Sequence, residues 1–357
     1  MLIHVFDTAI ESDNLGDHFI MAAVWDVLRP VFSDASFLRT PSHRRATLAE
    51  RWAGRKAALS IVGGTNILKS HMLVRGNWRI TPVDYLAWRN VVLLGVGWQQ
   101  YGGEPDLPTR LFFRSVLSRT MLHSVRDMHT YAKLRPHVAT AIYTACPTMW
   151  MLDEERCRRV PVRKARHAIF AVTYYRPAPE QDRKVFELLK RQYEKVFFWP
   201  QQSRDLPYAR EIGLDGFIPI EPDVAEYDRI LDAEDVDFVG ARLHGGIRAL
   251  QRGRRALILP VDNRATEISK STALPVASRD EPEAIERWIA NPRPTRIVLP
   301  WSAIEQWKMQ FAPIAAQHCR APVDPSDNRS NMELSAAFTI PPEAEMPSDR
   351  RRSTTHH

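Results

Sequence analysis

Residues 237–248 read Asp-Phe-Val-Gly-Ala-Arg-Leu-His-Gly-Gly-Ile-Arg. The apolar run ending at Gly240 has the character of a strand buried on both faces, and a helix begins near His244 or Gly245. A parallel strand that ends at a helix N-terminus is where open α/β sheets take up anions, because unpaired backbone N–H groups point outward there. Gly245 and Gly246 let a ligand approach the backbone closely. Arg242 and His244 alternate along the loop and are expected to face one cleft. The plainer alternative is a capping turn with a solvated arginine and a satisfied histidine. The clustering of both side chains with a Gly-Gly pair favours a binding site.

The same grammar extends in both directions. Strand-like runs at 2–6, 57–62, 91–96, 121–125 and 139–144 alternate with helical patterns at 16–28, 107–118 and 127–134, the first stopped by Pro30. A charged stretch at 153–166, broken by Pro161, reads as a linker. The pattern then restarts, with strands at 167–173, 196–199, 214–218, 236–240 and 255–261 and helices at 179–195, 223–231, 244–252 and 281–290. A final amphipathic helix is expected over 302–318. Such alternation implies βαβ units and parallel sheets. The fold expected is α/β, with two Rossmann-like domains (1–150 and 167–319) facing a central cleft, a linker at 151–166 and a disordered tail at 320–357.

Composition narrows the function classes. The chain has 357 residues, 44% hydrophobic and 25% charged, which is ordinary for a globular protein. No apolar run approaches the roughly 18 residues of a membrane span. Acidic residues appear before a signal-type apolar core could develop, so a cytoplasmic location is expected. Cys146, Cys157 and Cys319 form no CxxC pair, which argues against a disulfide framework or a structural zinc site. Lys+Arg 49 against Asp+Glu 42 gives +7. No zinc-finger, RNP or KH pattern accompanies that charge, so nucleic acid is not an expected partner.

Further motifs sit at strand-to-helix junctions. In Ser124-Val-Arg-Asp127, Asp127 suits a helix N-cap and Arg126 would face the same sheet end. Asp13-Asn-Leu-Gly-Asp17 places Asn14 and Gly16 in a tight turn and Asp17 in a first helical turn. Gly63-Gly64-Thr65-Asn66 and Gly95-Val-Gly97 add two further loops at that edge. None of these loops has the GxGxxG or GxxxxGK[ST] spacing, which disfavours NAD and P-loop chemistry. No GxSxG or HExxH occurs, and a serine triad or a catalytic metal is unsupported. Cys146, before Pro147, reads as packed or capping rather than as a nucleophile.

In order, Asn14-Leu-Gly-Asp17, Val62-Gly-Gly-Thr65, Leu93-Leu-Gly-Val-Gly97, Ser124-Val-Arg-Asp127 and Gly240-Ala-Arg-Leu-His-Gly245 resemble the polysaccharide pyruvyl transferase family. The resemblance runs over roughly residues 1–275, and Gly240-x-Arg-Leu-His244 is its most specific part. It implies a GT-B-like enzyme that moves the pyruvyl unit of phosphoenolpyruvate onto sugar hydroxyls of a cell-surface or exopolysaccharide precursor, forming a ketal. By that resemblance Arg126, Arg242 and the backbone around Leu243 hold the donor, and His244 is the acid/base group. Tyr174, Arg176, Gln201 and Asp205 are expected cleft contacts to donor or acceptor, with Asn14, Asp17, Gly64, Thr65 and Asn66 from the facing loops. Phosphoenolpyruvate enters as co-substrate and no resident cofactor is implied. A sugar or lipid-linked oligosaccharide is the expected acceptor, and peripheral association with the inner membrane would suit the positive charge. Two departures stand out. Thr65 occupies the place of a frequent third glycine, and Cys146-Pro147 that of a frequent Asp-Pro. A nucleotide-sugar glycosyltransferase on the same architecture is the alternative; a non-catalytic carbohydrate-binding component would have no need for Arg126, Arg242 and His244.

Overall fold

The computed structural model describes residues 1–74 and 78–314. Its first half runs β1 (Leu2–Asp7), α1 (Leu15–Val31), β2 (Ser36–Pro41), α2 (Leu48–Arg55), β3 (Leu59–Gly63), β4 (Asn66–Leu68), α3 (Asp84–Ala87), β5 (Val91–Leu94), β6 (Gly97–Trp98), α4 (Leu107–Val116), β7 (His123–Val125), α5 (Met128–Leu134) and β8 (Ala141–Tyr143). A 3-10 turn at Pro147–Met149 precedes α6 (Glu154–Arg158), β9 (His167–Ala171), α7 (Pro179–Gln192), β10 (Lys195–Phe198), α8 (Asp205–Glu211), β11 (Ile218–Pro219), α9 (Val224–Ala233), β12 (Val236–Gly240), α10 (Leu243–Gln251), β13 (Ala256–Ile258), α11 (Asn263–Thr272), α12 (Pro282–Ala290) and α13 (Trp301–Met309).

The apolar runs become two parallel sheets, ordered β2-β1-β3-β5 and β11-β10-β9-β12-β13. This is the doubly wound α/β architecture expected, with two Rossmann-like halves. Beside β5 lies the parallel pair β7–β8, joined to it by side chains as well as by bridges. Leu93 N donates to His123 Nδ1 (3.2 Å) and Gly95 N to Ser124 Oγ (2.8 Å), so polar residues complete a ladder in the core. The strand order reverses between β1 and β3 in one sheet and between β9 and β12 in the other. Ligands bind beyond the carboxyl ends of strands at such switch points.

At the second switch, Gly240 is required by space. A Cβ there would lie 2.7 Å from the Ala171 carbonyl oxygen of β9. The two halves belong to one compact unit. Phe19 of α1 packs near Trp199 and Tyr227, and α13 returns to the first half, where Trp307 Nε1 donates to Leu93 O (3.1 Å).

Several details differ from the sequence reading. Helix α1 continues through Pro30, because so near the helix end a missing N–H removes a single bond. The expected linker contains α6, capped by Asp153 and carrying the i,i+4 pairs Glu154–Arg158 and Glu155–Arg159. Strand β2, half-exposed at the sheet edge, and helices α2 and α11 were absent from the expected pattern. The expected disordered tail, Cys319 and the end of the last expected helix lie outside the described residues.

Candidate active site

The carboxyl ends of β9 and β12 present Tyr174 and Tyr175 on one loop and Arg242, Leu243 and His244 on the other. Arg242 is the N-cap of α10, and no side chain caps that helix. Its first turn has no acidic residue, so the first N–H groups, beginning at Leu243, form an anion-favouring end. The Arg242 guanidinium is buried and fixed. Nε donates to Val172 O (3.0 Å), Nη1 to Gln202 Oε1 (2.7 Å) and Nη2 to Asp205. Three of its five N–H groups are thereby used and two remain.

Asp205, expected as a cleft contact, is buried and hydrogen-bonded through both oxygens. One oxygen takes Arg242 and Tyr174 N (3.3 Å), and the other takes Gln201 N (3.1 Å) and Gln202 N (3.0 Å). Burial pushes its carboxyl up, against the opposing pull of Arg242.

His244 lies on the first turn of α10, 4% exposed, with Nε2 3.9 Å from the Cys146 thiol. Burial, reinforced by the positive charges of Arg264 and Arg126, drives its pKa down to about 3. The imidazole is therefore neutral near pH 7. Cys146 is buried, receives a hydrogen bond from Thr148 Oγ1 (3.1 Å), and has its thiol pushed up by burial, in keeping with a packed rather than nucleophilic cysteine.

Arg126 reaches the same place from the first half. Asp127 caps α5 by accepting from Thr130 N (2.7 Å), and Arg126 N bonds Val96 O (3.1 Å), which aims the side chain across Gly97. Arg126 is 1% exposed. Its Nε lies 3.3 Å from Asp127, and its Nη2 is buried without a protein partner. An unsatisfied buried donor on a cation costs stability unless a ligand supplies the acceptor.

Three residues absent from the sequence reading complete the cluster. Arg264, at the start of α11, bonds Asp262 (2.7 Å) and the Tyr175 hydroxyl (2.5 Å). Tyr175 also presents its ring to Arg242, 5.2 Å from the guanidinium carbon. Burial works against the Asp262 charge, but Arg264 outweighs it and holds the carboxyl below its ordinary range. The signal was present: Asp262 follows β13 as a helix cap just as Asp127 follows β7.

The remaining expected residues divide. Asn14 caps α1 and accepts from Gly16 N (3.1 Å) and from Gln201 Nε2 (2.7 Å), so these two stitch the halves together. Gln201 Oε1 is buried without a partner. Asp17 turns instead toward Ser12 (2.6 Å) and His43 (3.6 Å). Gly64 is closely packed, with Ile20, Leu94 O and Pro147 against the place of a Cβ. Thr65 O accepts from Gly97 N (2.8 Å) and Asn66 O from Gln99 Nε2 (2.9 Å), so their backbone supports the Gly97 loop. Tyr174 lies under Arg204, at 4.8 Å. Arg176 is exposed, and among the described residues only its carbonyl is engaged, by Arg279 (3.0 Å).

Among solved structures, E. coli heptosyltransferase WaaC with ADP-2-deoxy-2-fluoro heptose is similar at 13% identity, over 81% of this chain and 99% of that one, with a TM-score of 0.39. A putative UDP-N-acetylglucosamine 2-epimerase from Listeria monocytogenes shares 12% identity over 97% of this chain and 99% of its own, at a TM-score of 0.46. No curated protein matches the chain. Among the described residues no helix is long and apolar enough to cross a membrane. The family model for polysaccharide pyruvyl transferase matches residues 14–263, a span that contains Arg126, Arg242 and His244, and the chain belongs to that family.

Proposed function

We propose that this transferase moves the pyruvyl unit of phosphoenolpyruvate onto two hydroxyls of a sugar in a glycan precursor, closing a pyruvate ketal and releasing phosphate. The observation that carries the reading is the buried Arg126 Nη2, unpartnered and close enough for its charge to act on His244. A small ligand with both a phosphate and a carboxylate supplies acceptors for that group, for the two spare N–H groups of Arg242 and for the open start of α10. With three side chains at 4% exposure or less, access requires the halves to part at the Asn14–Gln201 seam.

The neutral imidazole supports a role for His244 as base in the first proton transfer. As the first hydroxyl oxygen bonds to C2 of the donor, His244 takes the hydroxyl proton and delivers it to C3, which becomes the methyl group and leaves the imidazole neutral again. The C2–O bond to phosphate then breaks, its electron pair leaving with the phosphate. The second hydroxyl oxygen bonds to C2, and its proton ends on the released phosphate. A positioned base of this kind contributes roughly 10²–10⁴-fold. The bound dianion also favours imidazolium, which raises the histidine's basicity when it is needed.

The test is purified protein incubated with phosphoenolpyruvate and candidate sugars, following phosphate release and product mass. Acceptor-dependent release that disappears in His244→Ala supports the proposal. Turnover with a nucleotide sugar alone, or tight sugar binding without turnover, refutes it.

A further inference from the structure

Three adjacent helices of the first half expose a second apolar face. Leu48 and Trp52 stand four residues apart on α2, Leu107 and Leu111 four apart on α4, and Val83 and Leu86 three apart at α3. These six are between 47% and 79% exposed. Their opposite faces are already used, Gly54 lying against Trp88 and Phe112 and Phe113 filling the core. Helix α3 joins the other two. Arg51 of α2 bonds Asp84 (2.6 Å), and the Tyr85 hydroxyl donates to Pro108 O at the start of α4 (3.2 Å).

The stripes also carry cations. Leu48, Arg51, Trp52 and Arg55 recur at helical spacing on α2, as do Leu107, Arg110, Leu111 and Arg114 on α4. Arg55, Lys56, Arg89, Arg110 and Arg114 are all exposed, and none forms an ion pair among the described residues. The Lys56 ammonium sits 3.5 Å over the Trp52 ring, leaving a large amphipathic group at the surface. Contiguous exposed apolar side chains mark an interaction surface. A two-fold contact with a second copy would set this cationic rim against itself, which is unfavourable. Apolar and basic residues interleaved on short surface helices suit a negatively charged lipid interface.

We propose that the α2–α3–α4 face docks on an anionic lipid bilayer. Leu48, Trp52, Leu107 and Leu111 enter the boundary between headgroups and acyl chains, and the arginine rim meets lipid phosphates. The proposal does not depend on the identity of the donor.

The experiment is sedimentation of the full chain with vesicles of phosphatidylcholine, with and without phosphatidylglycerol. Wild-type protein is expected to bind the phosphatidylglycerol vesicles, and salt to weaken binding. Leu48→Ser/Trp52→Ser/Leu111→Ser and, separately, Arg55→Gln/Arg110→Gln/Arg114→Gln are each expected to weaken binding by about tenfold or more. Tm and turnover on a soluble acceptor should stay unchanged in both. Absence of wild-type binding, or equal binding by the variants, overturns the proposal. So does a dimer in light scattering that the serine variant dissociates while the wild type ignores vesicles, which would assign the face to a second copy.

Discussion

A single methyl group added at Gly97 is expected to disable the enzyme while leaving it folded. An ideal Cβ at this position lies 2.2 Å from Arg126 Nε and 2.6 Å from Nη2. Comfortable contact needs roughly 3.5 Å, so the guanidinium must move by about 1 Å. Gly97 is not among the glycines with positive φ, and alanine therefore meets no backbone penalty. The obstacle is the tip of a side chain, so overpacking costs about 1–3 kcal/mol, the usual range for one extra group in a packed site. A misplacement of that size costs about 10²-fold in rate, or roughly 2.7 kcal/mol of transition-state binding. Gly97→Ala should therefore lose most phosphate release, with Tm lowered by only a few degrees. Gly103→Ala is the control, because a Cβ there meets nothing within 4 Å. Unchanged turnover and unchanged donor KM in Gly97→Ala would refute the placement of Arg126 at the donor.

Two other expectations separate scaffold from chemistry. Asp205→Asn removes the charge facing the buried Arg242, and breaking such a pair costs about 3–5 kcal/mol; calorimetry should show a large drop in Tm, and lost activity at wild-type Tm would instead mark Asp205 as a ligand contact. For His244 the folded pKa of about 3 lies below the 6.5 of the unfolded chain. The unfolded state therefore binds the extra proton below about pH 6.5, and His244 destabilises the fold by up to about 1.4 kcal/mol per pH unit as the medium acidifies. Compared by denaturant unfolding between pH 7 and 4.5, wild type should lose more stability than His244→Asn; a constant gap between the two contradicts a neutral buried imidazole.

Much of the scaffold was legible because it rests on local physics. Val236–Gly240 reads as a buried strand, and Asp127 marks a helix start by capping chemistry. Edge elements were not legible for the converse reason. Strand β2, Ser-Phe-Leu-Arg-Thr-Pro, is half-exposed and neither alternates nor runs apolar, and α11, Asn-Arg-Ala-Thr-Glu-Ile-Ser-Lys-Ser-Thr, shows little helical periodicity. In the site, Arg126, Arg242 and His244 could be picked out because each follows a strand end. What each one touches could not. Asp205 as the partner of Arg242, and Tyr175 as the bridge to Arg264, depend on segments brought together from the ends of four different strands, β9, β10, β12 and β13. Spacing along the chain carries no information about such contacts.

Charge matching explains why the net +7 of the sequence says little about this site. Each arginine of the cluster has its own carboxylate: Arg126 with Asp127 at 3.3 Å, Arg242 with Asp205, and the partly exposed Arg264 with Asp262 at 2.7 Å. With His244 neutral, the cluster is close to balanced before any ligand arrives, which is how it can be buried at all. On the proposed reading, selection of an anion falls to N–H groups left free after those pairings, among them Arg126 Nη2, two on Arg242 and the first turn of α10. On that reading the geometry of the N–H donors, more than net charge, determines what binds. A lysine in place of either Arg126 or Arg242 would keep the formal balance yet lose the planar array of N–H groups on which recognition depends.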